Sequence, residues 1–138
     1  MPHEIIEHAL GKGLEGDAAP SLVAEATTSA VRLLLLELKP LVGELATAAL
    51  YKRAVHLAKS SFQRPSDDAK TPDDLLAPLQ QDLASRSSEE AQRAGIAILD
   101  SLVDLLVSLI GDAITHRLLR KAWAVEALEA ATPEEKPQ

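Results

Sequence analysis

Cysteine is absent from the 138 residues of this chain. That excludes a disulfide framework, a thiolate metal site and a thiol nucleophile. Aromatic residues are nearly absent as well: Tyr51, Phe62 and Trp123 are the full set. Three scattered rings form no stacking platform for single-stranded nucleic acid. Cations are outnumbered, with 14 Lys and Arg against 21 Asp and Glu and a net charge of -7. Binding to polyanions draws on Lys and Arg, so neither nucleic acid nor an anionic membrane surface is an expected partner. The opening Met-Pro-His-Glu-Ile-Ile-Glu-His has no basic stretch leading into a long apolar run, so it does not read as a signal peptide. The cytoplasm is the expected location.

The most apolar stretch, 96–114, has the length of a membrane span. It also carries Asp100, Asp104 and Asp112. Each carboxylate costs about 2.5–3.5 kcal/mol near the bilayer centre. A buried helix in a water-facing protein is the better expectation.

What the chain does have is aliphatic mass. Hydrophobic residues make up 46% of it, mostly Leu and Ala. No stretch alternates apolar and polar residues for long, so the expected fold class is all-α, a helical bundle. Residues 1–132 read as one helical domain. A short helix spans 2–10 and closes in the glycines of 11–16. A first long segment runs over 20–62, with Leu34, Leu38, Leu41 and Leu45 on one stripe. Pro40 removes an N–H and clashes with the preceding turn, which predicts a kink or break near Lys39. A short helix over 72–85 starts at Thr71-Pro72-Asp73-Asp74, with a Thr cap and Pro at the first helical position. Ser87 with Glu90 caps a long helix expected over 88–130. The acidic, proline-bearing 133–138 reads as a disordered tail.

The two long segments resemble each other. At a constant offset of 68 residues, Leu34, Leu38, Leu41, Gly43, Thr47, Leu50 and Ala54 recur as Leu102, Leu106, Leu109, Gly111, Thr115, Leu118 and Ala122. Val42, Glu44, Lys52 and Arg53 recur as Ile110, Asp112, Arg120 and Lys121. Leu and Ala matches are cheap in this composition; the Gly, acid, Thr and basic pair in register are not. The pattern predicts an internal duplication. Glycine inside a helix costs about 1 kcal/mol relative to alanine. Its place in both copies has two explanations. Gly43 with Thr47 and Gly111 with Thr115 mark a helix crossing near a pseudo-two-fold axis, or each glycine ends one helix and Glu44 or Asp112 begins the next.

The chemical motifs are thin. Gly11-Lys12-Gly13-Leu14-Glu15-Gly16 fits GxGxxG, but no strand precedes it, so it reads as a linker. His3-Glu4-Ile5-Ile6-Glu7-His8 lacks the second His that a zincin needs at i+4, and its His–Glu pairs suit surface ion pairs. Asp100, Asp104, Ser108, Asp112 and His116 form an i,i+4 row that reads as the wet stripe of an apolar helix. No metal, cofactor or catalytic set is expected. Lys52 and Arg53, with Arg120 and Lys121, are basic pairs late in the two copies. They suit the negative end of a helix, or a basic surface for an acidic partner.

Arg53-Ala54-Val55-His56-Leu57-Ala58-Lys59-Ser60-Ser61 resembles the histidine-phosphotransfer signature His-x-Leu-Lys-Gly-Ser. In that family an exposed His on a helical bundle takes a phosphoryl group from a response regulator, and a nearby Lys holds the phosphate. The resemblance rests on His56, Lys59 and Ser61. Ala58 and Ser60 stand where the family has Leu and Gly. It implies His56 as phosphoacceptor with Lys59 beside it.

The expected function is a non-enzymatic protein–protein interaction or regulatory module, as in bacterial signalling. Its wide apolar surfaces predict a homodimer. Phosphoryl relay through His56 and sensing of a small apolar ligand are the alternatives. Relay requires an exposed His56, and sensing requires a closed apolar cavity.

Overall fold

The computed structural model describes residues 19–58, 62 and 65–124. The readings placed on 2–10, on the glycines of 11–16, on Lys59, Ser60 and Ser61, on 125–130 and on the tail 133–138 lie outside the described residues. What is described is all-α: α1 (Pro20–Val42), α2 (Glu44–Leu57), α3 (Pro72–Ala84) and α4 (Ser88–Leu119), the last running into a π-helical turn, Arg120–Ala124.

Helix starts follow local chemistry. Pro20 sits at the first position of α1, where its fixed φ suits a helix and its missing N–H has no intrahelical partner anyway. Thr71 Oγ1 accepts the Asp74 N–H at 3.2 Å, and Ser87 Oγ accepts the Glu90 N–H at 3.2 Å. Acids follow both caps, Asp73 and Asp74 in α3, Glu89 and Glu90 in α4, where the helix dipole favours negative charge.

The core forms where apolar stripes meet. On α1 it takes Ala24, Val31, Leu34, Leu35 and Leu38; on α3, Leu75, Leu76, Leu79 and Leu83; on α4, Ile98, Leu99, Leu102, Val103 and Leu106. α1 makes its most extensive contacts with α3 and then with α4, and α2 lies on α4. Arg32 of α1 pairs with Asp73 of α3 at the edge of that contact. Tyr51 of α2 is fully buried with the leucines, and burial pushes its hydroxyl well above the ordinary tyrosine range, so it stays neutral.

Three expectations change here. α1 does not break at Pro40; it continues helically to Val42. Leu36, whose carbonyl loses its N–H partner to Pro40, and Pro40 itself are exposed residues, so the lost bond falls on the solvent side of the helix. The break comes instead at Gly43, with φ 92° and ψ 166°. α4 is not one straight helix to 130 either: Gly111 interrupts it at φ 87° and ψ 167°. That backbone region is open only to glycine. Each glycine therefore ends one helical stretch and its acidic neighbour begins the next. Among the described residues nothing lies within 4 Å of a Cβ built on Gly43 or Gly111. Among the described residues the pairs Gly43 with Thr47 and Gly111 with Thr115 are helix breaks, not close helix crossings.

The close crossing lies at another glycine. A Cβ built on Gly95 of α4 would sit 2.6 Å from Thr27 Oγ1 of α1. Both residues are buried. Only the missing side chain lets α1 and α4 approach this closely.

Candidate functional site

Two cross-helix hydrogen bonds locate the breaks relative to each other. Ser101 Oγ of α4 donates to the Ala54 carbonyl of α2 at 3.0 Å. Further along α2, Leu57 and Ala58 lie beside Ile96 and Ala97, earlier in α4, so the two helices run antiparallel. From Ala54 back to Glu44 and from Ser101 on to Gly111 is the same count of residues, about 15 Å at 1.5 Å per residue. Trp123 Nε1 donates to the Ala30 carbonyl of α1 at 2.6 Å, and Lys121 Nζ lies 3.7 Å from Glu37 Oε1 further along α1. Stepping back from Trp123 to Gly111 and on from Ala30 to Val42 again covers equal lengths. Both routes bring the two breaks to one end of the molecule.

That end is apolar. Leu41 (56% exposed), Val42 and Leu45 (68%) flank Gly43; Leu109 (62%) and Ile114 (45%) flank Gly111. The other large exposed hydrophobics are Leu22, Leu33 and Leu36 on α1 and Leu57 at the end of α2. The breaks explain the exposure. Leu34, Leu38, Leu41 and Leu45 share a stripe in sequence, yet Leu34 and Leu38 are fully buried while Leu41 and Leu45 are the most exposed of the first segment. Leu41 stands on the last turn before Gly43, where no neighbouring element covers it, and the break turns the chain before Leu45.

The two threonines behave differently although both are buried. Thr47 Oγ1 donates to the Gly43 carbonyl at 2.7 Å, tying α2 back onto its own break. Thr115 Oγ1 has no hydrogen-bond partner among the described residues. Thr47→Val will therefore cost about 1 kcal/mol, the worth of a hydrogen bond. Thr115→Val, which removes a desolvated hydroxyl, will be neutral or stabilising. Urea unfolding of both variants checks this; equal losses would refute it.

One residue of each basic pair is engaged within the chain and the other is exposed. Lys52 Nζ donates to the Asp67 carbonyl at 2.6 Å and so holds the 65–70 loop. Lys121 is engaged with Glu37. Arg53 and Arg120 are exposed. His56 is exposed on the last turn of α2, and the Lys59 of the phosphotransfer resemblance lies outside the described residues. Beside it, between α2 and α4, runs an open groove of about 410 Å³ lined by Leu57, Ala58, Ile96 and Ala97 with Arg93, Asp100, Ser101 and Asp104. It is neither closed nor wholly apolar. The acidic row is cut by Gly111, which takes Asp112 and His116 off the line of Asp100 and Asp104. Among the described residues no three His, Asp or Glu side chains are grouped to hold a metal.

Sequence reasoning missed Gly95 and Trp123. Gly95 carries a legible signal: it interrupts the apolar run Ala94-Gly95-Ile96 in mid-helix, where glycine needs a packing reason. Trp123 carries none, because its acceptor is a backbone carbonyl 93 residues earlier.

Residues Ser88–Trp123 are long and apolar enough to cross a membrane by length and composition, with 44% of the most apolar window buried in this fold. Compared with known proteins, the chain matches no family model, no curated protein and no solved structure.

Proposed function

We propose that this chain is a non-enzymatic helical interaction module of the cytoplasm, a bundle of two duplicated helix pairs that associates with a second protein chain, in the first place its own copy. One observation carries the reading: among the described residues the large exposed hydrophobics, Leu57 apart, fall at the two breaks and along one side of α1. Gathered apolar surface of a few hundred Å² marks interaction sites, whereas single exposed leucines need no explanation.

The duplication is supported by more than sequence. Gly43 and Gly111 share one unusual backbone conformation. At the 68-residue offset, Val31 and Leu99, Leu34 and Leu102, Leu38 and Leu106, Thr47 and Thr115, Tyr51 and Leu119, and Ala54 and Ala122 are buried in both copies. Thr27 and Gly95, which meet at the α1–α4 crossing, are also equivalent positions. Equivalent residues in contact are what a two-fold axis passing between them produces.

Light scattering on the wild-type chain tests the association. The expected mass is twice 14.7 kDa at the higher concentrations. A mass of one chain throughout would remove the homodimer. The exposed His56 keeps phosphoryl relay as a second reading, in a signalling role. Intact mass after incubation with a small-molecule phosphodonor decides it: the module reading expects no phosphoryl adduct, and an adduct lost in His56→Gln would replace it with relay.

A further inference from the structure

We infer that the apolar end formed at the two glycine breaks is where a second copy of this chain docks, end to end, on a two-fold axis. The inference rests on the homodimer reading and names its surface.

Two patches compete for that role, and the duplication separates them. Along α1, Leu22, Leu33 and Leu36 form an exposed stripe. Their equivalents on α4 are Glu90, Ser101 and Asp104, so only one half of the molecule has it. At the breaks both halves are apolar. Leu41 and Val42 are matched by Leu109 and Ile110, and the following turns supply Leu45 in one half and Ile114 in the other. This end therefore has an approximate two-fold of its own. Whichever way a second copy is turned about that axis, leucine and isoleucine meet their like. A surface complementary to itself is what an isologous interface requires.

Charge fits the same occupant. Around this end lie Glu44 and Asp112, and within two turns of the breaks Lys39 and Arg117. None of the four is in an ion pair among the described residues. With both signs present, a copy can be turned about the end so that acids of one chain face bases of the other. An acidic or a basic partner of one sign would leave half of these charges unmatched. The end of a few packed helices buries less than the roughly 800 Å² per partner of a standard interface. The dimer is accordingly reversible and sensitive to concentration.

Sedimentation equilibrium over a wide concentration range, on full-length wild type, Leu45→Asp/Leu109→Asp and Leu33→Asp/Leu36→Asp, tests the inference. The wild type is expected to dimerise reversibly. The break variant is expected to lose at least tenfold in dimer affinity, and the α1 variant to change by less than threefold. All four sites are exposed, and circular dichroism confirms that each variant is folded. Should the break variant misfold, Leu45→Cys supplies the only thiol in the chain, and a short bifunctional maleimide is expected to link two copies through it. If the α1 variant dissociates while the break variant does not, this surface is wrong and the homodimer stands. A wild type that stays monomeric overturns both. A monomer that binds neutral phosphatidylcholine vesicles through Leu45 overturns the inference in favour of a lipid surface.

Discussion

Leu102→Ala will destabilise the protein by about 2–5 kcal/mol, while Leu109→Ala will change stability by no more than about 0.5 kcal/mol. Both leucines belong to one apolar stripe in the sequence, a helical turn or two apart. Leu102 is fully buried among the core leucines of α1, α3 and α4; Leu109 is 62% exposed beside the break at Gly111. Truncating the first loses its transfer free energy and leaves a cavity that the surrounding helices cannot fully close. Truncating the second removes surface that water already touches. Leu34→Ala against Leu45→Ala repeats the contrast in the first segment. Urea unfolding at a protein concentration low enough to keep the chain monomeric measures all four, since a dimer through Leu45 and Leu109 would add its own term to the apparent stability. Similar losses for Leu102 and Leu109 would mean that the second is buried in the chain, and the apolar end would be part of the core.

Gly111→Ala and Gly43→Ala will each cost about 1–3 kcal/mol, through backbone strain and not through lost contact. A Cβ at either position meets nothing among the described residues, so space is not the objection. The objection is φ near +90° with ψ near 167°, where an L side chain collides with its own backbone. Gly95→Ala is destabilising for the opposite reason. Its backbone is helical and alanine would gain about 1 kcal/mol in helix propensity, but the new methyl would stand 2.6 Å from Thr27 Oγ1. Thr27 is β-branched and fully buried, so its hydroxyl has little room to turn away. Thr27→Ala should release the clash. In a double-mutant cycle the two substitutions will couple by about 0.5–3 kcal/mol. The Thr27→Ala/Gly95→Ala protein will unfold at higher urea than Thr27→Ala alone. A stabilising Gly95→Ala in the wild-type background would show that α1 and α4 do not approach closely there.

These three glycines show how far the sequence could be read. The recurrence of glycine at 43 and 111 is legible in the sequence, and so is the choice between a crossing and a helix end. Propensity alone cannot make that choice, because a glycine that breaks a helix and a glycine that admits a neighbour cost the same in an isolated helix. Gly95 is equally legible, but Thr27 and not glycine stands 68 residues before it. Pro40 does not break α1, and for a related reason the sequence does not show this: its cost depends on whether the orphaned carbonyl meets solvent, which one helix by itself does not reveal.

The all-α class, the starts of α3 and α4, and the faces Leu34 with Leu38 and Leu102 with Leu106 are all legible from residue order. These follow from side chains reaching their own backbone three residues away and from a 3.6-residue period, both local. Residue order also puts two special backbone positions 68 residues apart. Tertiary packing is what sets the breaks at one end, sends Leu41, Leu45 and Leu109 out of the stripe into solvent, and brings α1 and α4 close at Thr27 and Gly95. Those depend on which helices lie antiparallel, as the bonds from Ser101 to Ala54 and from Trp123 to Ala30 record. Such contacts join residues 47 and 93 positions apart. No periodicity within one helix encodes them.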